Sequence, residues 1–370
     1  MTMYSRTITI PLSLRFMKKS ALLLSTFVLF SVPGWAQPER LHQIHRNIQS
    51  VFYEPTTGLY KETNDAAHNE KLHSYLWPLC ALVQAANEME VLEPKASYLK
   101  PVLQTIQQYY NPNPPAPGYQ AYVKKEMTDT RFYDDNQWIA IACLDAYERT
   151  KQPSYLDTAE LIYKFMLTGY DQQAGGGIYW KEDDKTTKNT CSNGPGILIA
   201  LQLYKLKKNP KDLQTALDLY RWTNKQLQAP SGVYYDAVKL PSMKIDSAIY
   251  TYNTGTMLQS SVLLYQLTKE KSYLKEAKRV AEAAKKHFYR NNRFPENYWF
   301  NVVLLRGYIE LFEVDKDPQY LRLFARDAER IWKEEKDQQH LIGPRKWKSL
   351  IDQAAMLEMY ARLEALKGKI

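Results

Sequence analysis

Two kinds of apolar pattern alternate along the chain. The first places apolar residues at three- and four-residue intervals on one face, as in Leu156, Ala159, Ile162, Tyr163 and Met166. That period predicts an amphipathic helix with one side in water. Five such helices open on a similar phrase: Tyr98-Leu99-Lys100, Tyr155-Leu156-Asp157-Thr158-Ala159, Asp212-Leu213-Gln214-Thr215-Ala216, Tyr273-Leu274-Lys275-Glu276-Ala277 and Tyr320-Leu321-Arg322-Leu323-Phe324-Ala325. They recur at spacings of 57, 57, 61 and 47 residues. The second kind runs through residues 74–90, 135–150, 194–206, 254–268, 298–313 and 349–366, with fewer charges over the central turns. Helices of that kind are buried on more than one side. With the segment at 39–52 as the first outer helix, the pattern predicts six outer and six inner helices.

A repeat of this length calls for a stacked or ring-closed array of helical hairpins. A linear solenoid needs polar capping repeats at its ends, and none is evident. The expectation is therefore an all-α fold, an (α/α)6 toroid of six helical hairpins forming a single domain over residues 37–370. Strand signals are confined to short stretches such as Gly232-Val233-Tyr234-Tyr235, which predict short β-hairpin turns at one rim. The outer-to-inner turns share a glycine followed by an aromatic: Gly58-Leu59-Tyr60, Gly118-Tyr119, Gly175-Gly176-Gly177-Ile178-Tyr179-Trp180 and Gly232-Val233-Tyr234-Tyr235.

Residues 1–36 are set apart. Met17-Lys18-Lys19 precedes an apolar run from Ala21 to Phe30, and Gly34-Trp35-Ala36 carries the small residues of a cleavage site. The run is too short for a permanent span and reads as a signal peptide cut near Ala36, with residues 1–16 as an upstream extension. The mature chain is expected to be exported, periplasmic or secreted, with no stable membrane anchor. Loss of Arg6, Arg15, Lys18 and Lys19 lowers the formal charge from +9 to +5. So small a surplus, without a basic stripe, speaks against nucleic acid as a partner. Cys80, Cys143 and Cys191 lie in apolar segments and read as small buried hydrophobes, although a disulfide between two of them stays open. No metal-ligand spacing or cofactor motif stands out.

The chemistry concentrates at Tyr133-Asp134-Asp135-Asn136-Gln137-Trp138. Adjacent aspartates at a helix start have an ordinary use, since carboxylates complement the positive end of the helix dipole. In a toroid, however, the start of an inner helix opens into the central cavity, where charge is costly unless used or paired. Two neighbouring carboxyls repel and titrate apart, and glycoside hydrolysis needs one ionised and one protonated carboxyl around a single bond. Adjacent residues hold these groups close to the roughly 5 Å gap of retaining enzymes. The 28 Tyr and 8 Trp are heavy usage, and amphipathic rings at a cavity mouth suit sugar faces.

This hexapeptide resembles the signature of glycoside hydrolase family 76, the endo-α-1,6-mannanases. Gly175-Gly176-Gly177-Ile178-Tyr179-Trp180 resembles that family's Gly-Gly-Gly turn ending in Trp. Lys188-Asn189 with Asn193-Gly194, and Thr251-Tyr252-Asn253-Thr254-Gly255, are similar to two further family steps, Thr254 standing where Gln is usual. The resemblance implies a hydrolase cutting α-1,6-mannosidic bonds of α-mannan or manno-oligosaccharides, with Asp134 as nucleophile and Asp135 as acid and base. It also implies sugar contacts by Trp180, Asn193, Tyr252 and Asn253. Tyr133, Trp77 and Trp138 are further candidate substrate-binding residues, although Trp77, Trp138 and Trp299 serve equally as packing. A binding acid is sought between Asp236 and Asp246, with Asp246 preferred because it is nearer the Tyr252 motif. His68 and His73 receive no role. A silent mannan-binding protein, and a transglycosylase or uronate hydrolase on the same toroid, remain as alternatives.

Overall fold

The structure is a computed structural model and describes residues 37–295 and 297–370; the signal peptide read at 1–36 lies outside them. Six inner helices, α2 (Leu76–Leu92), α4 (Tyr133–Thr150), α6 (Thr190–Lys207), α8 (Thr251–Thr268), α10 (Tyr298–Asp315) and α12 (Leu350–Ala365), each pack on the next, and α12 returns to α2. The ring is closed, so this is an (α/α)6 toroid. The outer helices α3 (Leu99–Ile106), α5 (Pro153–Leu167), α7 (Pro210–Leu227), α9 (Lys271–Phe288) and α11 (Gln319–Glu334) each lie on the inner helix before them. The first helix, α1 (Gln37–Asn47), lies on α12, so the start of the described chain completes the outer ring. No described helix is long and apolar enough to cross a membrane.

The inner helices meet closely where they carry glycine. A Cβ on Gly255 would lie 2.6 Å from Leu304 Cα, and one on Gly307 would lie 2.7 Å from the Gly255 carbonyl. These distances allow no side chain, so α8 and α10 are in backbone contact. At the end of the ring away from these helix starts, α4, α6, α8 and α10 stop on a lysine in the left-handed region: Lys151, Lys208, Lys269 and Lys316. Each lysine N–H bonds back to the carbonyl four residues earlier, satisfying one orphan acceptor of the helix end. The turn leads directly into the next outer helix, which explains the regular phrase seen in sequence.

At the opposite rim the outer-to-inner connections form strands. β1 (Tyr53–Glu54) pairs with β2 (Leu59–Tyr60), and β3 (Tyr110–Asn111) with β4 (Gly118–Tyr119). The next two connections fuse into one antiparallel sheet of β5 (Tyr179–Lys181), β6 (Asp184–Asn189), β7 (Tyr235–Lys239) and β8 (Lys244–Ile249). The sequence predicts isolated hairpins; the β6–β7 pairing across two repeats has no local sequence signal. Inner helices α6 and α8 also begin several residues earlier than the apolar pattern suggests, because Asn189 to Pro195 and Thr251 to Gly255 are polar or small yet mostly buried.

One device ties the rim to the ring. The fourth residue of five inner helices grips the incoming connection. Asn136 accepts from the Tyr119 N–H (2.7 Å) and donates to its carbonyl (2.8 Å). Asn193 does the same to Ile178 (2.8 and 3.0 Å), and Gln353 to Ile342 (2.8 and 2.6 Å). Asn301 donates to the Pro295 carbonyl. Thr254, too short for both bonds, accepts only from the Tyr234 N–H (3.2 Å). Thr254, where the resemblance leads one to expect Gln, therefore serves this grip.

Candidate active site

The starts of the inner helices surround a cavity of about 570 Å3. The second residue of five inner helices lines it: Trp77, Asp134, Cys191, Tyr252 and Trp299. Cβ atoms of a helix lean toward its N-terminus, so this register looks into the ring's mouth while the fourth position reaches the rim. Asp135 and Trp138 from α4 and Phe300 from α10 complete the helical wall. Trp180 on β5, Asn189 and Asp236 come from the rim sheet.

The two adjacent carboxyls face this cavity in unlike surroundings. Asp134 accepts from the Asp135 N–H (3.0 Å), from Trp180 Nε1 (3.3 Å) and from the Cys191 thiol. Burial pushes its pKa up to about 6, against the pull of those three donors. No protein donor among the described residues reaches the Asp135 carboxyl. Burial, and then the charge of Asp134, push Asp135 well above the ordinary carboxylate range. The Cys80 thiol donates to the Asp135 carbonyl (3.2 Å) and fixes its backbone from α2. One carboxyl is thus cradled as an anion while its neighbour keeps a proton, the division that general acid–base work requires.

Trp180 is placed by the glycine turn before it. Gly176 and Gly177 have φ of 124° and 84°, in the region that favours glycine. A Cβ on Gly177 would lie 2.7 Å from Trp222 Cε2. Lys188 Nζ gathers the turn by donating to Asp171 Oδ1 (2.6 Å) and to the carbonyls of Gln173 (2.9 Å) and Gly176 (2.7 Å). The Trp180 ring rests on Phe132 at 4.9 Å and stays 38% exposed, an open face at the cavity edge. Trp299 packs against Trp77 (6.2 Å) and Trp138 (5.6 Å) as the opposite aromatic wall, and Tyr252 lies on Phe300 at 4.1 Å.

Several expected residues lie elsewhere. Tyr133 is buried, stacked on Phe165 at 4.9 Å, with its hydroxyl near Thr168, and does not line the cavity. Asn193 spends all its polar atoms on the rim grip. Asn253 is buried and donates to Asp236 (3.2 Å), so it acts through that residue. The preference for Asp246 is corrected: it pairs with Lys239 at 2.9 Å on the outer side of the sheet and is 37% exposed. Of the two acids, Asp236 on the facing strand is the one that lines the cavity, held by Asn253 and Asn189 (3.3 Å) and raised by burial. Sequence reasoning misses Cys191, Asn189 and Phe300; Cys191 stands in the same helix-start register as Asp134, the one signal available for it. His73 bridges Glu54 and Glu126 (3.2 and 2.7 Å) away from the cavity.

The profile of Glycosyl hydrolase family 76 matches residues 39–370. A mannan endo-1,6-alpha-mannosidase of Saccharomyces cerevisiae is 29% identical over 163 residues, 40% of this chain and 36% of that protein. The match therefore spans about a third of the relative. A family 76 α-mannanase of Bacteroides thetaiotaomicron superposes with a TM-score of 0.83 at 24% identity, over 90% of this chain and 96% of the other. An inactive variant of the α-1,6-mannanase of Salegentibacter sp. HEL1_6, with two adjacent aspartates changed to asparagine and α-1,6-mannotriose bound, gives 0.77 at 22% identity, over 90% and 100%. At these identities the structural likenesses speak for the fold.

Proposed function

The chain belongs to glycosyl hydrolase family 76, and from that premise we propose that it is a retaining hydrolase of α-1,6-mannosidic bonds within mannan. The observation that carries the reading is the unequal cradling of Asp134 and Asp135 inside a sugar-sized, aromatic-walled cavity. Asp134 attacks the anomeric carbon and forms a β-linked mannosyl-enzyme. Asp135 gives its proton to the departing 6-oxygen, so the leaving sugar departs as a neutral alcohol. With its proton gone, Asp135 takes one from water, and that water breaks the ester from the same face from which the leaving group departed. Two inversions return the α configuration.

The walls support the same substrate. Trp180 and the Trp77–Trp299 pair offer flat faces on two sides of the carboxyls, and Asp236 offers acceptors for sugar hydroxyls. The Salegentibacter relative binds α-1,6-mannotriose, and a chain of such rings, apolar on its faces and hydroxylated at its edges, suits this lining. The apolar run and small-residue site before residue 37 support action after export. Digestion of debranched α-1,6-mannan tests the proposal: wild type should release short manno-oligosaccharides, and Asp134→Asn none. Turnover of uronate oligosaccharides with none of mannan would overturn it.

A further inference from the structure

A second hollow of about 620 Å3 adjoins the catalytic cavity, and Phe300 lines both. Tyr250 stacks on Tyr252 at 5.7 Å and meets Phe300 edge-on, so the three rings form a ridge between the hollows. Tyr250 keeps 40% of its surface exposed. Beyond the ridge the lining changes sign. His287, Arg290 and Arg293 enter it, and no carboxylate of a described residue does; Glu296, between the lining residues Pro295 and Asn297, lies outside the described residues.

The backbone holds the two exposed arginines side by side. Arg290 and Arg293 exchange both backbone hydrogen bonds at 3.0 Å, and between them Asn291 and Asn292 have φ of 51° and 59°. Those angles belong to a type I′ hairpin turn, for which asparagine is well suited. Residues directly opposite in such a pair share one face, and like charges there are destabilising. Neither arginine forms an ion pair with a described residue, a state they share with the exposed Arg46, Arg322 and Arg326, whereas the buried Arg131 and Arg306 are paired. Arg293 also borders a neighbouring hollow that contains Asp327 and Glu335, so Arg290 carries more of the weight. Burial, and then the charge of Arg290, lower the pKa of His287, as a positive local field does.

We propose that this hollow is a second saccharide subsite that receives an anionic group, phosphate or carboxylate, borne on a sugar of the mannan chain, with the Tyr250–Phe300 ridge under the neutral ring beside it. The inference rests on the mannan reading of the catalytic cavity. Guanidinium groups recognise both anions through charge-assisted hydrogen bonds, and an anion would relieve the repulsion across the hairpin.

Calorimetric titration of the Asp134→Asn protein tests this without turnover. The probes are a neutral α-1,6-manno-oligosaccharide, the same chain bearing a phosphodiester, and the same chain bearing a uronate. The charged chains should bind about tenfold more tightly than the neutral one. That preference should collapse when Arg290→Ala and Arg293→Ala are added, and should shrink with salt. A preference for one charged chain alone identifies which anion the hollow takes. Equal affinity for all three probes, or a preference that survives loss of both arginines, overturns the subsite. Failure of the neutral chain to bind at all would instead count against the mannan reading.

Discussion

The indole N–H of Trp180 donates to Asp134 Oδ2 across 3.3 Å, so the exposed platform at the cavity edge is also part of the cradle of the carboxylate proposed to attack. On the proposed reading, a sugar settling on this ring meets a side chain that already holds the proposed nucleophile. Trp180→Phe keeps a flat face and removes the donor. Loss of a hydrogen bond to a charged group should lower kcat/KM about tenfold. The donor favours the ionised form, so its loss should also move the acidic limb of the pH profile upward. A pH–rate profile checks both effects.

In the proposed mechanism Asp135 serves departure of the leaving group, so its removal should show in proportion to the need for a proton. Asp135→Asn should lower kcat/KM on mannan by about two to four orders of magnitude. On an aryl α-mannoside with an acidic leaving group the first step should be largely spared. Steady-state kinetics on the two substrates decide the matter; equal losses on both would remove the acid role.

The same burial predicts how stability depends on pH. Both carboxyls have folded pKa values above the ordinary aspartate value of 3.8, Asp134 reaching about 6. The folded state therefore binds protons more tightly than the unfolded one, and stability falls as pH rises from near 4 through 6. Asp134→Asn removes the ionisable group, so its melting temperature should exceed wild type by on the order of a few degrees at pH 7. At pH 4 the gap should close. Thermal melts at the two pH values give the comparison.

Asp236 and Asp246 lie on the paired rim strands β7 and β8 but have opposite expected effects. Asp236→Ala should raise KM for manno-oligosaccharides, because it removes acceptors inside the cavity and leaves the Asn189 and Asn253 amides unpaired. Asp246→Ala breaks an exposed pair with Lys239, worth about 0–1 kcal/mol, and a local bond from the Ala248 N–H (3.3 Å), both outside the cavity, and should leave KM unchanged.

Asn193→Ala should act on folding. It deprives the Ile178 N–H and carbonyl of their buried partner, at about 1–3 kcal/mol per unsatisfied group, and loosens the turn that carries Trp180. Chemical denaturation should show the loss directly. Gln353→Ala, the corresponding change far from Trp180, should destabilise comparably while leaving KM less affected.

How much of the molecule is legible in the sequence follows from the range of the forces involved. Helical period is local, so twelve helices, their alternation and the ring can be read from residues three and four apart. Asp134 and Asp135 stand out because two charges at a buried helix start need a reason. Tyr133 sits beside those residues and Asn193 in a later motif, yet the structure gives them to packing and to the rim grip, since motifs include the supports of a site as well as its contacts. Nearness to the Tyr252 motif favours Asp246 over Asp236 in sequence, and the sheet that sets Asp236 against the cavity depends on pairing between residues some fifty positions apart, which no local pattern reveals. Cys191 looks like any buried thiol; only alignment of the helix starts shows it level with Asp134.

The most direct test is to trap the intermediate. Wild-type protein incubated with an activated 2-deoxy-2-fluoro mannosyl donor, digested and analysed by mass spectrometry, should carry a single sugar on the peptide that contains Asp134, with fragmentation placing it on that residue. A sugar on Asp135 or on another peptide, or no adduct while the donor is consumed to β-configured product, would contradict the assignment of Asp134 as nucleophile.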